Sequence, residues 1–232
     1  MKKNFISTFL LLSIFLVGMS QNIVKNPGFE DESITAYSNG KNVLPRVSTF
    51  YDAVTQTVNP TIAETNILPG MWVLKSFSSG YIRAAVINTE PKSGNSSINL
   101  FIKEGSAQKN LEYWYGAVLL QKLATPLLNT KRYKVSAWIK TDDKVGNQCK
   151  KATFVLTDNT NRQNLTSAVN LTGGNVWTKY ETTFDIPVYL KRNKAADFSI
   201  AFLGIGIGAD YDDEAKTLYS GIQVDDFELL EE

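Results

Sequence analysis

The chain has 232 residues, a formal net charge of +1 at pH 7 and no histidine. Without histidine, Ser-His-Asp triads, Cys-His pairs and His-rich zinc sites are excluded, so any acid-base chemistry would depend on carboxylates, lysine or tyrosine. The single cysteine, Cys149, has no partner for an internal disulfide, and we interpret it as a free thiol. The balanced charge gives no electrostatic reason to expect nucleic acid or an anionic membrane as a partner.

Residues 1–20 predict a secretory signal peptide of bacterial type. Two lysines precede an apolar run from Phe5 to Val17, and Gly18 and Ser20 supply small residues near the expected cleavage site. The run is too short for a stable membrane span, and no later stretch approaches about 18 uninterrupted apolar residues. We therefore expect a protein that is secreted, periplasmic or at the cell surface, with no membrane span and one mature domain over residues 21–232.

The mature chain opens with the segment NIVKNPGFE, residues 22–30. Its apolar pair predicts a first strand, and its Pro-Gly dipeptide predicts a corner that is followed by an aromatic residue and the carboxylate of Glu30. Residues 33–70 are irregular and contain three prolines, which predicts long loops with short strands.

The later apolar segments are short and rich in strand-forming residues, and none shows a sustained helical stripe. Polar clusters rich in glycine, asparagine and aspartate separate them, as turns require. Strands are expected at residues 96–103, 115–123, 132–141, 151–158, 177–186, 197–207 and 220–230. This pattern predicts an all-β fold in which two antiparallel sheets pack face to face as a β-sandwich.

Side-chain alternation is informative in two of these strands. In residues 132–141 the odd-numbered apolar side chains are expected in the core, while Trp138 lies on the polar side, either packed under a loop or displayed on an open sheet face. In residues 220–230 the alternation breaks at Asp225 and Asp226. A β-bulge at this pair would restore a common inward direction and aim one carboxylate at the end of the sandwich.

The densest cluster of aromatic and amide side chains lies in residues 110–121, NLEYWYGAVLLQ. Sugar rings stack their C–H faces on aromatic planes, and their hydroxyls bond to amides and carboxylates. Tyr113, Trp114, Tyr115 and Gln121 are therefore candidates for contact with a ligand, with Trp138 as a further candidate, and the family resemblance given below implies that this ligand is a carbohydrate.

Alternatives remain open for several aromatic residues. Alternation sends Trp114 and Tyr115 to opposite faces of a strand, and Trp114 could instead fill the edge of the core. Trp72 and Trp177 are interpreted as structural, the first because it follows a Pro-Gly turn and the second because it begins a strand.

Seven blocks of sequence, in order, resemble the carbohydrate-binding modules of families 4 and 9, which are jelly-roll sandwiches of the galactose-binding-like type. The blocks are NIVKNPGFE, GMW, SGNSSINLF, AVLLQKL, RYKVSAWIKT, WTKYETTF and IQVDDFELL. The resemblance implies glycan binding through aromatic and polar groups of a concave sheet face, for which Trp114, Tyr115 and Gln121 are the matching candidates. It also implies a structural calcium ion, with Glu30 and Asp225 at the matching positions.

The residues allow two interpretations of this calcium site. The first and last strands of a sandwich lie close together, so Glu30 and Asp225 would meet and offer the oxygen ligands that calcium takes. Alternatively, both acids accept hydrogen bonds from turns and hold no metal.

The function expected from the sequence is non-catalytic binding of a polysaccharide or oligosaccharide within a polysaccharide-utilisation system. One alternative is a structural or adhesion domain that contacts proteins. A second is a glycoside hydrolase, because acidic clusters occur at residues 30–32, 210–214 and 225–226. No spacing in these clusters matches a catalytic pair of carboxylates.

Overall fold

Two β-sheets packed face to face form most of the described part of the chain in the computed structural model. The structure describes residues 21–30, 46–47, 61–62, 66–75, 82–102, 117–143, 149–158, 164–193, 199–207 and 220–232. In chain order the elements are β1 (Arg46–Val47), β2 (Thr61–Ile62), β3 (Trp72–Lys75), β4 (Ile82–Ile87), β5 (Ser97–Ile102), β6 (Ala117–Leu127), β7 (Arg132–Thr141), β8 (Lys151–Asp158), β9 (Asn164–Asn170), β10 (Thr178–Asp185), α1 (Ile186–Asn193), β11 (Ile200–Ile207) and β12 (Ser220–Glu231).

One sheet has seven strands in the order β2-β1-β3-β6-β11-β8-β9, and the other has five in the order β10-β7-β12-β5-β4. All pairings are antiparallel except those of the two-residue strand β1, which is parallel to β2 and to β3. The predicted two-sheet sandwich is confirmed.

The two sheets differ in what covers their outer faces. The central part of the seven-stranded sheet is apolar on both sides, and every residue of β11 is buried. A second apolar cluster covers its outer face and includes Val73, Val118, Leu120 and Phe202. In the five-stranded sheet, buried residues of β7 alternate with polar ones, as is usual when one face of an antiparallel sheet meets water. Within the described residues, the polar sheet face is therefore that of the five-stranded sheet.

The strands predicted at residues 132–141 and 151–158 coincide with β7 and β8. Strands β3, β4 and β9 and helix α1 were not predicted. β9 is a polar edge strand with little apolar alternation, and α1 is eight residues long, too short to show a helical period. Asp185 caps this helix, because its Oδ1 accepts the N–H of Val188 at 3.0 Å.

The segment 22–30 is not a regular strand, which corrects the sequence prediction. It follows the edge of β12 through isolated bonds, from the N–H of Ile23 to the carbonyl of Leu229 at 2.9 Å and from the N–H of Phe227 to the carbonyl of Pro27 at 3.1 Å. Asn26 and Phe29 have positive φ angles. These left-handed residues curl the segment, so an extended ladder cannot form.

The predicted bulge in the last strand is confirmed. The register between β12 and β7 shifts between Asp225 and Glu228, and Asp226 has a φ of 46°. As a result, Val224 and Phe227 are both buried in the core, although their spacing is odd.

Two sequence features lie outside the described residues. These are the predicted signal peptide, residues 1–20, and most of the irregular stretch 33–70, in which β1 and β2 are short strands. In the described part of the chain, no helix combines the length and apolar character needed to cross a membrane.

Candidate functional site

An open groove of about 580 Å³ lies on the outer face of the five-stranded sheet. Three parts of the chain form it: the connection from β4 to β5, the C-terminal half of β7, and the turn before β10. The lining residues are Glu90, Pro91, Lys92, Trp138, Lys140, Asn175, Val176 and Trp177.

Two tryptophans from different strands line this groove. Trp138 lies on the polar face of β7 and pairs in register with Lys179 of β10. Trp177 immediately precedes β10, and its indole Nε1 donates to the carbonyl of Glu90 at 3.1 Å. Both residues are partly exposed. The antiparallel pairing of β7 with β10 therefore places two indoles, 39 positions apart in the numbering, along one groove.

Two lysines contact these rings. The Nζ of Lys92 lies 4.3 Å from the ring centroid of Trp138, and the Nζ of Lys140 lies 5.2 Å from that of Trp177. Both distances fit cation-π contacts. Lys140 also pairs with Glu90 at 3.2 Å; its side chain is 6% exposed, whereas that of Glu90 is 79% exposed.

A row of polar side chains continues from the groove across the sheet. Lys140 of β7 stands opposite Gln223 of β12, which stands opposite Asn99 of β5. The side-chain oxygens of Gln223 and Asn99 are shielded from solvent and have no hydrogen-bond partner among the described residues. Buried polar atoms without partners are rare in folded proteins and often mark functional sites.

Glu30 and Asp225 are brought to the same corner of the sandwich, next to the groove. The Oε1 of Glu30 accepts the N–H groups of Asn95 and Ser96 at 2.8 and 2.9 Å. The Oδ2 of Asp225 accepts those of Lys92 and Ser93 at 2.8 and 3.2 Å. These four bonds fasten the β4–β5 connection, which forms one wall of the groove, to the segment 22–30 through Glu30 and to β12 through Asp225.

Asp226 joins this corner, and Gly28 lies at its centre. A Cβ on Gly28 would lie 3.4 Å from the Oδ1 of Asp226, 3.5 Å from that of Asp225 and 3.8 Å from the Cγ of Glu30. In the described part of the chain, no three Asp, Glu, His or Cys side chains converge closely enough to form a metal site by themselves. The hydrogen bonds from backbone N–H groups agree with the interpretation in which Glu30 and Asp225 stabilise turns without a metal. The short distances from Gly28 to these acidic side chains agree with the interpretation in which a cation binds between them.

Burial raises the pKa of Asp225 from 3.8 to about 6, although its bonds to backbone N–H groups oppose the shift. At pH values between 3.8 and about 6, the carboxyl group of Asp225 is therefore protonated in the folded state and ionised in the unfolded state. The free energy of unfolding of the metal-free protein should therefore fall as the pH rises from about 4 to about 6, and this contribution should be level above that range.

The measurement is urea denaturation of chelator-treated protein at several pH values between 4 and 7. Asp225→Asn is the matched variant, because it removes the titrating proton and keeps the shape of the side chain. The difference in free energy between wild type and variant should change across this window. A constant difference would contradict the assigned titration.

The predicted ligand residues have different positions. Trp138 lines the groove. Gln121 lies inside the sandwich with 0% exposure; its Nε2 donates to the carbonyls of Lys25 and Gly70, and its Oε1 accepts the N–H of Lys25. This corrects its predicted contact with a ligand, since no part of the side chain faces solvent. Tyr113, Trp114 and Tyr115 lie outside the described residues.

Sequence reasoning missed Trp177, Lys92 and Lys140 as groove residues. Trp177 was interpreted as structural, and the two lysines resembled ordinary surface charges. One feature of the sequence indicated that Lys140 lies near the groove, because it shares the polar face of β7 with Trp138. By contrast, Trp72 is fully buried, as its structural interpretation requires.

The fold is a β-sandwich of two sheets with an open groove on the polar face of one of them. Residues 88–202, about half of the chain, match the carbohydrate binding domain family CBM_4_9. This match confirms the resemblance to families 4 and 9 and includes the groove residues described above.

Among solved structures, a protein of Bacteroides thetaiotaomicron VPI-5482 to which sugar binding has been attributed is similar, with 14% identity and a TM-score of 0.53. The similarity covers 91% of this chain and all of that one. TmCBM61, solved in complex with β-1,4-galactotriose, has 14% identity and a TM-score of 0.45 over 92% of this chain and all of its own. No curated protein sequence shows significant similarity to the chain.

Proposed function

We propose that the protein is a secreted, non-catalytic carbohydrate-binding module that holds a glycan in the groove of the five-stranded sheet. The observation that carries this proposal is the pair of partly exposed indoles, Trp138 and Trp177, along one open groove on a polar sheet face. Such rings offer flat apolar surfaces to sugar C–H groups. Asn175 lines the groove, and the partly exposed side chains of Asn99 and Gln223 lie in the adjacent polar row, where they are candidate partners for sugar hydroxyls.

The charges of the groove favour binding over hydrolysis. Glycoside hydrolases usually place two carboxyl groups across the scissile bond, about 5 to 10 Å apart. Among the described lining residues, Glu90 is the one carboxylate, and it is paired with Lys140. This arrangement supplies no second acid for the reaction.

The experiment is isothermal titration against a panel of soluble polysaccharides, with wild type, Trp138→Ala and Trp177→Ala. Each variant should bind at least about tenfold more weakly, which corresponds to about 1.4 kcal/mol of lost stacking. The control is Leu68→Ala, an exposed apolar residue that is not part of the groove lining. Unchanged affinity in both tryptophan variants would refute the site, and wild type that binds no glycan would refute the function.

We also propose a structural calcium ion at the corner formed by Glu30 and Asp225. The Oδ1 atoms of Asp225 and Asp226 and the Cγ of Glu30 lie within 4 Å of the position that a Cβ on Gly28 would take, and none of these acids forms an ion pair with another described residue. A hard divalent cation would neutralise this cluster and accept carboxylate oxygens, with backbone carbonyls or water completing its shell.

Calcium should raise the melting temperature of wild type relative to chelator-treated protein. Glu30→Gln should remove most of that increase. Because Glu30 also fastens Asn95 and Ser96, the variant is expected to be less stable even in chelator; the readout is therefore the difference between the two conditions. The control is Glu181→Gln on exposed β10, which should keep the full calcium effect. An equal calcium effect in Glu30→Gln and wild type would eliminate this site.

The N-terminal sequence leads us to place the protein outside the cytoplasm, where it would capture glycans for a polysaccharide-utilisation system. Mass spectrometry of the exported protein tests this placement. An N-terminus near residue 21 is expected, and an intact N-terminus in the cytoplasmic fraction would refute it.

A further inference from the structure

Lys92 is the lysine of the groove that has no acidic partner among the described residues. The other two lysines beside the indoles form ion pairs, Lys140 with Glu90 at 3.2 Å and Lys179 with Glu228 at 2.7 Å. The ammonium group of Lys92 instead lies over the ring of Trp138, 4.3 Å from its centroid.

The backbone holds Lys92 in this position. Its N–H donates to the Oδ2 of Asp225 at 2.8 Å, and Asp225 is the register partner of Trp138 on the adjacent strand. The carboxylate of Asp225 thus anchors the backbone of Lys92 beside Trp138, and the ammonium of Lys92 lies over the ring of that tryptophan. The fold therefore fixes the backbone of Lys92 beside Trp138.

This arrangement treats neutral and anionic sugars differently. A sugar that stacks on this face of Trp138 must displace the ammonium from the ring, because both occupy the same surface. A neutral sugar replaces the cation-π contact by stacking alone. An anionic sugar also gives the displaced ammonium a charge-assisted hydrogen bond, which is stronger than a neutral one.

Lys140 adds a second cation at the neighbouring ring. It is almost fully buried, and its partner Glu90 is largely exposed. This pair holds the positive charge of Lys140 beside the ring of Trp177. Each of the two indoles is therefore accompanied by a lysine.

We propose that the groove selects a glycan with an anionic sugar residue, a uronate or a sulfated sugar, and that Lys92 determines this selectivity. The proposal rests on the glycan-binding function proposed above. Trp138 and Trp177 supply stacking surfaces for the ring, Lys92 pairs with the anion, and Asn175 of the groove lining is a polar partner for the adjoining residue.

The test uses ligand pairs that differ only in charge. Polygalacturonate, alginate and glucuronoxylan are each compared with their carboxyl-reduced forms, and a sulfated galactan is compared with its desulfated form. Titrations are performed at low and high ionic strength with wild type, Lys92→Gln and the control Lys191→Gln. Lys191 is an exposed residue of α1, at the opposite end of β10 from the groove.

Wild type should bind at least one anionic ligand about tenfold more tightly than its neutral counterpart, since a hydrogen bond to a charged group is worth about this factor. High salt should reduce the preference, and Lys92→Gln should abolish it by weakening the binding of the anionic member of the pair more than that of the neutral member. The control should behave as wild type. The responding pair, carboxylate or sulfate, identifies the anion.

The outcomes separate this proposal from the function on which it rests. Equal or tighter binding of the neutral member of every pair would overturn the selectivity and leave the glycan-binding function intact. If Lys92→Gln still prefers the anionic ligand, the role of Lys92 is overturned. The same holds if the substitution weakens the binding of the anionic and the neutral member of a pair equally. Absence of binding to every ligand would overturn both proposals.

Discussion

Trp72→Ala should lower the free energy of unfolding by about 3 to 5 kcal/mol, the usual cost of removing a large buried aromatic side chain. Trp72 is fully buried, and its ring centroid lies 5.0 Å from those of Phe29 and Phe227. These two phenylalanines come from opposite ends of the described chain. The indole Nε1 also donates to the carbonyl of Asn26 at 3.2 Å. Loss of Trp72 would thus open a cavity and detach the N-terminal segment from the last strand.

Chemical denaturation measures this loss, and Trp177→Ala is the matched control. The same substitution at the partly exposed groove residue should cost little stability but reduce glycan binding, whereas any Trp72→Ala protein that remains folded should keep its affinity. Similar losses of stability in both variants would show that Trp177 is a core residue and that the groove is wrongly assigned.

Gln121→Leu should destabilise the fold by about 2 to 3 kcal/mol, because it leaves buried backbone groups without partners. The amide of Gln121 bonds to both backbone polar groups of Lys25 and to the carbonyl of Gly70. It therefore links strand β6 to the N-terminal segment and to the turn before β3. Leucine has a similar size but satisfies none of these three groups.

The chain offers a second glutamine in a central strand as the control. The amide oxygen of Gln223 has no partner among the described residues, so Gln223→Leu should cost far less stability. The two variants should also differ in binding, because Gln223 lies in the polar row beside the groove. Weaker glycan binding by Gln121→Leu at full stability would restore its predicted ligand role.

The corner formed by Glu30 and Asp225 is linked to the groove by the β4–β5 connection. Glu30 and Asp225 fasten the β4–β5 connection, and the same connection carries Glu90, Pro91 and Lys92 into the groove. A substitution of Glu30 or Asp225 should therefore change both the stability of the fold and the affinity for the ligand. A Glu30 variant with weaker binding would reflect a displaced groove wall rather than a direct ligand contact.

The sequence by itself determined the sandwich, the bounds of β7 and β8, and the bulge at Asp225 and Asp226. These features follow from local patterns, since alternation with a period of two and its interruption can be seen within ten residues.

Only the tertiary structure decided which residues form the groove. Trp177 meets Trp138 because β10 pairs with β7 in one particular register, and Lys92 reaches the ring because distant carboxylates fasten its loop. Strand β9 and helix α1 likewise lack a strong local signal. Long-range register and loop anchoring depend on contacts between segments far apart in the chain, whereas the pattern within one segment reports only on its own faces.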